Sequence, residues 1–312
     1  MSLVIPVYRN EEGIDSLLRA VQELSEAIGD FEAVFVVDGS PDESHLRLLQ
    51  QLPSAPFRSQ LLSLSRNFGS FAAIRAGLAA AKGERLAVMA ADLQEPPELI
   101  LRFDEQLRTG DCDVVIGRRL ARSDPGLSKL AATIFWGVYR RAVMPEVPPG
   151  GVDVFGCTRA VRDTILAIDE RNTSLVGLLF WVGYRRSEVE YERQAREHGT
   201  SGWTFAKKLR YLSDSVFSFS DLPIRLLLYA GALGLLTSAV FATVVLAAKL
   251  AGQIPVPGYA ATVLVVTFFG GLNCYGLGVL GGYVWRTYEN TKGRPGHIVR
   301  SHQEYSPREG AA

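Results

Sequence analysis

This chain of 312 residues lacks the short signatures of the commoner nucleotide-using enzymes. No G-x-G-x-x-G follows the first apolar run and no G-x-x-x-x-G-K-[ST] is found, which argues against NAD binding and P-loop chemistry. Net charge is also missing. Lys and Arg total 33 and Asp and Glu total 33, so no basic excess points to nucleic acid as a partner. Cysteine is scarce: Cys112, Cys157 and Cys274 lie far apart, without C-x-x-C or metal-ligand spacing, and read as reduced thiols of a cytoplasmic compartment. Met1 leads directly into Leu3-Val4-Ile5 with no basic region or cleavage site, so no signal peptide is expected.

What the chain does have is organised around Val88–Pro97. The apolar run Leu86–Ala91 reads as a buried strand ending in Asp92, Gln94 and Glu95, after which Pro96 and Pro97 forbid further strand and open a helix. Ligands of open parallel sheets sit at the carboxyl ends of strands, so these three side chains face a site. Hard oxygen ligands there suit Mg²⁺ or Mn²⁺ carrying a diphosphate. Taken alone, an Asp-x-Gln at a strand end is equally an ordinary turn; its neighbours decide.

Residues 1 to about 120 alternate strand-like runs with helical periods, the pattern of a parallel α/β sheet. Strands are expected at Leu3–Val7, Ala33–Val37, Gln60–Leu64, Leu86–Ala90 and Val114–Ile116. Helices are expected at Gly13–Ile28, Asp42–Gln51, Ser70–Ala81 and Pro97–Leu107. The first strand ends in Pro6-Val7-Tyr8-Arg9-Asn10-Glu11-Glu12, the second in Asp38-Gly39-Ser40-Pro41-Asp42, the third in Ser65-Arg66-Asn67-Phe68-Gly69. Asp38 before Gly-Ser is also a plausible turn and helix cap, but four polar strand ends pointing one way favour a site.

Hydropathy is uneven. Leu226–Ala248 and Gly258–Trp285 contain no charged residue, and each exceeds the roughly 20 residues needed to cross a bilayer. The short connection carries Pro255 and Pro257, so two transmembrane helices are expected as a hairpin. Lys207, Lys208, Arg210 and Arg225 precede the pair, and Arg286, Lys292, Arg294 and Arg300 follow it. The positive-inside rule then puts both termini in the cytoplasm, the protein being a multi-pass component of the inner membrane. Neither span holds an ionisable residue, which disfavours transport. Leu127–Val143 and Trp203–Ser220 read as interfacial helices resting on the lipid bilayer, with packing on the sheet as the alternative for the first. The expected divisions are a catalytic domain over 1–202, a juxtamembrane helix over 203–222, the hairpin over 223–286 and a basic tail over 287–312.

The series PVYRNEEG, VDGSPD, SRNFG and ADLQEPPE resembles the family 2 glycosyltransferases of GT-A fold, and more narrowly the polyprenyl-phosphate sugar transferases. ADLQEPPE is the most specific of the four. The likeness extends over nearly the whole chain, through two C-terminal spans and a basic tail similar to TKGRPGHIV. It implies that Pro6, Tyr8 and Asp38 border a nucleobase, with Asn10 or Glu11 nearby, and that Asp92 and Gln94 hold a metal–diphosphate. The family usually reads Asp-Ala-Asp-Leu-Gln; here the first acidic position is Ala90, and Glu95 stands at a position often acidic in the family. Further implied are Asp153 beside the acceptor, as a base or an orienting group, and one of Arg118 or Arg119 on the acceptor phosphate. Phe155 stands where the family commonly has Arg. Arg196-Glu197-His198-Gly199-Thr200-Ser201 resembles the family's Arg-x-x-Gly-x-Ser loop, so Arg196 and Ser201 are expected at the same phosphate, with His198 a loop residue. A solvated basic loop is the plainer account of Arg118 and Arg119.

The resemblance implies an inverting, non-processive transfer of one sugar from a UDP-linked donor, such as UDP-glucose, to undecaprenyl phosphate, with Mg²⁺ or Mn²⁺. The Gln-x-x-Arg-Trp motif of processive relatives is absent. A membrane-bound nucleotide-sugar-binding scaffold weakened at Ala90, and a transferase to another lipid acceptor, are the alternatives. Gly270-Gly271, Gly276, Gly278 and Gly281-Gly282 give the second span a small-residue face, suited to the hairpin itself or to a homo-oligomer, with relatives pointing to a tetramer.

Overall fold

The computed structural model describes residues 1–120, 152–170, 173–194, 213–251 and 258–307, with isolated positions between 137 and 148. Five strands appear where the apolar runs fall: β1 (Ser2–Val7), β2 (Glu32–Val37), β3 (Arg58–Leu64), β4 (Arg85–Val88) and β5 (Val114–Arg119). Helices α1 (Ile14–Ile28), α2 (Ser44–Gln51), α3 (Ser70–Ala80) and α4 (Glu98–Thr109) alternate with them. Every residue of β2 is buried, as expected of a central parallel strand covered on both faces. In α1, Ile14, Leu17, Val21 and Leu24 recur at helical spacing and are all buried against the sheet.

Two strands went unforeseen, β7 (Arg186–Tyr191) and β8 (Val299–Tyr305), while β6 (Phe155–Thr158) begins only at the end of Gly150–Phe155, a Gly-rich apolar run that reads as a strand around Asp153. Among the described residues the sheet has eight strands in the order β7-β5-β6-β4-β1-β2-β3-β8. Strand β6 runs antiparallel between β4 and β5, and β8 runs antiparallel to β3; the other pairings are parallel. The mixed α/β class with a mostly parallel sheet is as expected. Asp153 is not within a strand: it lies in a bend two residues ahead of β6. Strand β4 stops at Val88, where its pairing with Phe155 ends, two residues short of the expected Ala90.

After β6 come α5 (Arg159–Ala167) and α6 (Leu175–Trp181), which with α3 cover one face of the sheet; α1, α2 and α4 cover the other. The long helices α7 (Leu222–Leu250) and α8 (Tyr259–Thr291) follow. Among the described residues one stretch is long and apolar enough to cross a bilayer, Leu222–Phe241, with mean hydropathy 1.8 and 6% buried. The expected second span is a helix, but no second such stretch is found among the described residues. Two contacts in series link α8 to the sheet domain, by way of a segment just ahead of α7. Phe219, in a helical segment over 213–219, lies so close to Gly177 of α6 that a Cβ there would stand 2.4 Å from its ring. Arg286 of α8 pairs with Asp214 at 2.7 Å. Part of the expected tail is strand β8, so the sheet is built from both ends of the chain. The expected interfacial helix over 127–143 and most of that over 203–220 lie outside the described residues.

Candidate functional site

Parallel strands β1, β2 and β4 deliver their carboxyl ends to one rim, and the loops there are laced together. Asn10 Nδ2 donates to Ala91 O at 2.9 Å, tying the end of β1 to the end of β4. The Asn10 amide donates to Ser44 Oγ (3.1 Å) and the Glu11 amide to Asp42 Oδ2 (3.1 Å), while Glu11 accepts from the Glu43 amide (2.8 Å). Burial works against the charge of Asp42, but hydrogen bonds from Ser40, Ser44 and two amides outweigh it and hold its carboxyl below the usual range. Arg9 adopts φ +52°, a strained conformation for a side chain of that size, and stands beside exposed Tyr8, 5.5 Å from the ring centroid. Pro6 sits in β1 opposite Val36.

Asp38 is 3% exposed, and both its oxygens are used. The amide of Phe68 donates to one at 2.7 Å and that of Gly69 to the other at 2.8 Å, fixing the turn after β3. Burial pushes its pKa up in spite of those amides and of Arg66. Next to it Gly39 has φ +57°, and a Cβ there would meet the Arg66 carbonyl carbon at 2.3 Å, so only glycine lets the two strand ends approach.

The turn after β4 is the centre of the site. Leu93 takes φ +50°, and Glu95 folds inward until 1% of it is exposed. One Glu95 oxygen lies 3.8 Å from Arg193 Nε, and the other is buried without a hydrogen-bond partner. Burial first, then the charges of Asp153 and Asp92, raise its pKa to about 7 against the opposing pull of Arg193 and Arg119. Gln94 exchanges backbone and side-chain contacts with the segment after β7. Its carbonyl accepts from the Gln194 amide (2.9 Å), its Nε2 donates to Gln194 O (3.5 Å), and its Oε1 accepts from Arg193 Nη2.

Parallel pairing of β5 with β7 brings in the third group. Arg119 faces Tyr191 across the ladder and forms an ion pair with Asp153, to which the Tyr191 hydroxyl also donates at 3.2 Å. Arg119 is largely buried and its Nε has no partner. Arg118 points to the opposite face, where Glu188 and Glu190 both engage it. Of the expected residues the structure therefore gathers Asp92, Gln94, Arg119 and Asp153 around Glu95, with Asn10 adjoining through Ala91, and turns Arg118 away. Arg196, Ser201 and His198 lie outside the described residues. Among the described residues no three His, Cys, Asp or Glu side chains gather as metal ligands.

Sequence reasoning missed Tyr191 and Arg193. The alternation in Arg186–Tyr191 shows which residues share a face, but not that β7 pairs with a strand some seventy residues earlier.

Residues 2–167 match the family described as "Glycosyl transferase family 2". An uncharacterized glycosyltransferase of Synechocystis is 33% identical over 300 residues, which cover 96% of this chain and 94% of that protein. The bactoprenol glucosyl transferase of Shigella phage SfX is 32% identical over 303 residues, covering 96% of this chain and 99% of its own. Among solved structures, glucosyl-3-phosphoglycerate synthase from Mycobacterium tuberculosis aligns with TM-score 0.49 and 18% identity over 69% of this chain and 78% of that one.

Proposed function

This chain belongs to glycosyl transferase family 2 and is a glycosyltransferase, and on that premise we propose that it moves one sugar from a UDP-linked donor, UDP-glucose in the simplest case, to undecaprenyl phosphate at the cytoplasmic membrane face. The observation that carries this reading is the end-to-end overlap with a relative named bactoprenol glucosyl transferase, apolar C-terminal helices included. The geometry supports it. A donor-side carboxylate, Asp92, and an acceptor-side carboxylate, Asp153, both act on Glu95, so the two halves of the reaction meet in one cluster.

On the donor side, Pro6, Tyr8, Asn10, Glu11 and Asp38 form the rim for the nucleobase. Each Asp38 oxygen that accepts a loop amide retains a lone pair for a base N–H. Asp92 and Gln94 are hard oxygen donors at the strand end, and the negative charge that Asp92 and Asp153 bring to bear on Glu95 suits the neighbourhood of Mg²⁺ or Mn²⁺. With Ala90 in place of a carboxylate, Asp92 and Gln94 would supply a partial ligand set and leave room for phosphate oxygens. When bound, the metal neutralises charge on the departing nucleoside diphosphate.

On the acceptor side the phosphate arrives mostly ionised, its second pKa being about 6, so no strong base is needed. Arg119 offers its unpartnered Nε–H to that phosphate, and Asp153, held by Arg119 and Tyr191, orients it for attack on the anomeric carbon. By the family resemblance, Arg196 and Ser201 are assigned to the same phosphate. Arg118, neutralised by Glu188 and Glu190, is left out of this role. Attack opposite the diphosphate inverts the anomeric centre.

The long helices set the height of the site. Leu228, Leu233 and Leu236 on α7 and Val266, Leu277 and Val284 on α8 are all exposed, a pattern that suits hydrocarbon on two sides of a hairpin crossing the membrane twice. Trp285, Tyr288 and Lys292 cluster at the end of α8, as at a headgroup boundary.

A transfer assay tests the whole reading. Detergent-purified protein, undecaprenyl phosphate and a panel of UDP- and GDP-sugars, with Mg²⁺, Mn²⁺ or EDTA, should yield a metal-dependent lipid-linked sugar. Equal turnover with diacylglycerol, or no turnover with any donor that binds, overturns it.

A further inference from the structure

The Arg193 side chain occupies an unexpected place. Its Nη2 donates to Gln94 Oε1, the amide oxygen expected on the metal, and its Nε faces Glu95 Oε1 at 3.8 Å. The backbone beneath it is pinned, because Gln194 and Gln94 exchange a 2.9 Å amide–carbonyl bond and a 3.5 Å side-chain contact. Glu95 is buried and, among the described residues, has no other cation as near, so the guanidinium is tethered from the inside while its outer edge holds the Gln94 oxygen.

We propose that Arg193 is a resident cation of the donor site: it holds Gln94 Oε1 while the donor is absent and must yield that oxygen before a divalent metal can use it. This rests on the reading of Asp92 and Gln94 as the metal-binding residues. An amide oxygen has two lone pairs, but a guanidinium and a divalent cation held on the same oxygen repel each other at close range, so binding of one opposes the other. Once displaced, Arg193 stays beside Glu95 and turns its N–H donors toward the diphosphate that arrives with the metal. A planar donor fork suits two phosphate oxygens, which an ammonium does not. The site thus holds compensating charge near Asp92 and Glu95 when empty and recruits it to the donor when full, in a chain whose first metal carboxylate is replaced by Ala90.

The sign of the effect on metal binding separates this from a merely structural role. Mn²⁺ binding to the full-length protein, read by electron paramagnetic resonance with and without UDP, is compared for wild type, Arg193→Gln, Arg193→Lys and Asp92→Asn. Removing the competitor should raise Mn²⁺ affinity roughly tenfold without UDP in Arg193→Gln, while UDP affinity falls; Arg193→Lys should keep part of the competition but lose the UDP contact. Thermal melting shows whether each variant folds. If Arg193→Gln leaves Mn²⁺ affinity unchanged or lowers it while Asp92→Asn abolishes binding, the resident-cation proposal is wrong and the metal site stands. If Asp92→Asn has no effect on Mn²⁺, both fall.

Discussion

Two glutamates are buried at opposite ends of the same sheet, and the protein treats their charges in opposite ways. Glu32 begins β2. Its carboxylate accepts from Ser2 Oγ at 2.5 Å, from the Lys82 amide at 2.5 Å and from Gln60 Nε2 at 3.1 Å. Burial favours the neutral form, yet these donors outweigh it and its pKa is lowered. Glu95 follows β4 at the other end, with one oxygen unpartnered and two carboxylates nearby, and its pKa rises to about 7. A carboxylate whose hydrogen bonds are all made is a structural joint. One left short of partners among like charges stores unfavourable energy that a ligand can relieve. Burial alone does not distinguish them; the partner count does.

The contrast can be broken in four ways, from the largest effect down. Asp92→Asn should lower transfer by at least about a hundredfold with the melting temperature unchanged, as expected of a group that acts on developing charge; near-full turnover would remove Asp92 from the site. At the other end, Glu32→Ala leaves the Ser2, Lys82 and Gln60 donors unpaired and should destabilise the fold by about 2–4 kcal/mol, with turnover per folded molecule preserved. A loss of turnover in folded protein would show that the two ends are not separate.

Glu95→Gln should act in reverse. Glu95 has a folded pKa of about 7 against an ordinary 4.5, so between those values the folded state holds a proton that the unfolded state has lost. Stability is therefore highest below pH 4.5 and declines as pH rises toward 7. Glu95→Gln should remove that slope and leave the protein more stable near pH 8, by on the order of 2–3 kcal/mol, while transfer falls. Denaturant melts at several pH values check it; an unchanged slope would mean that Glu95 is ionised throughout. The smallest expected effect separates two neighbours. Arg119→Gln should raise the KM for the lipid phosphate by about tenfold and Arg118→Gln by less than about twofold, since Arg119 stands beside Asp153 whereas Arg118 is engaged by Glu188 and Glu190 on the opposite face.

The legibility of the sequence divides along similar lines. Local signals carried the first five strands, because alternating apolar runs and helical periods need no long-range information. They also carried Asp92 and Asp38, whose neighbours Pro96 and Gly39 force turns at strand ends. What depended on pairing was hidden. Tyr191 and Arg193 reach the site only because β7 joins β5, and Asp153 faces Arg119 only because β6 inverts between β4 and β5. Arg118 and Arg119 look interchangeable in sequence, yet adjacent strand residues face opposite sides, and one meets two glutamates while the other meets an aspartate.

Strand β8 carries a mechanical consequence. The chain leaves the sheet, runs through two long apolar helices, and returns to pair with the outer edge of β3. The Ser65 amide, at the start of the turn that Asp38 grips, donates to Ile298 O at 2.9 Å just ahead of that strand. The domain is thus mounted at two points, through Phe219 on α6 at one side and through β8 at the other, and cannot swivel on a single linker. Any tilt of the helices is levered onto the outer edge of the proposed donor rim.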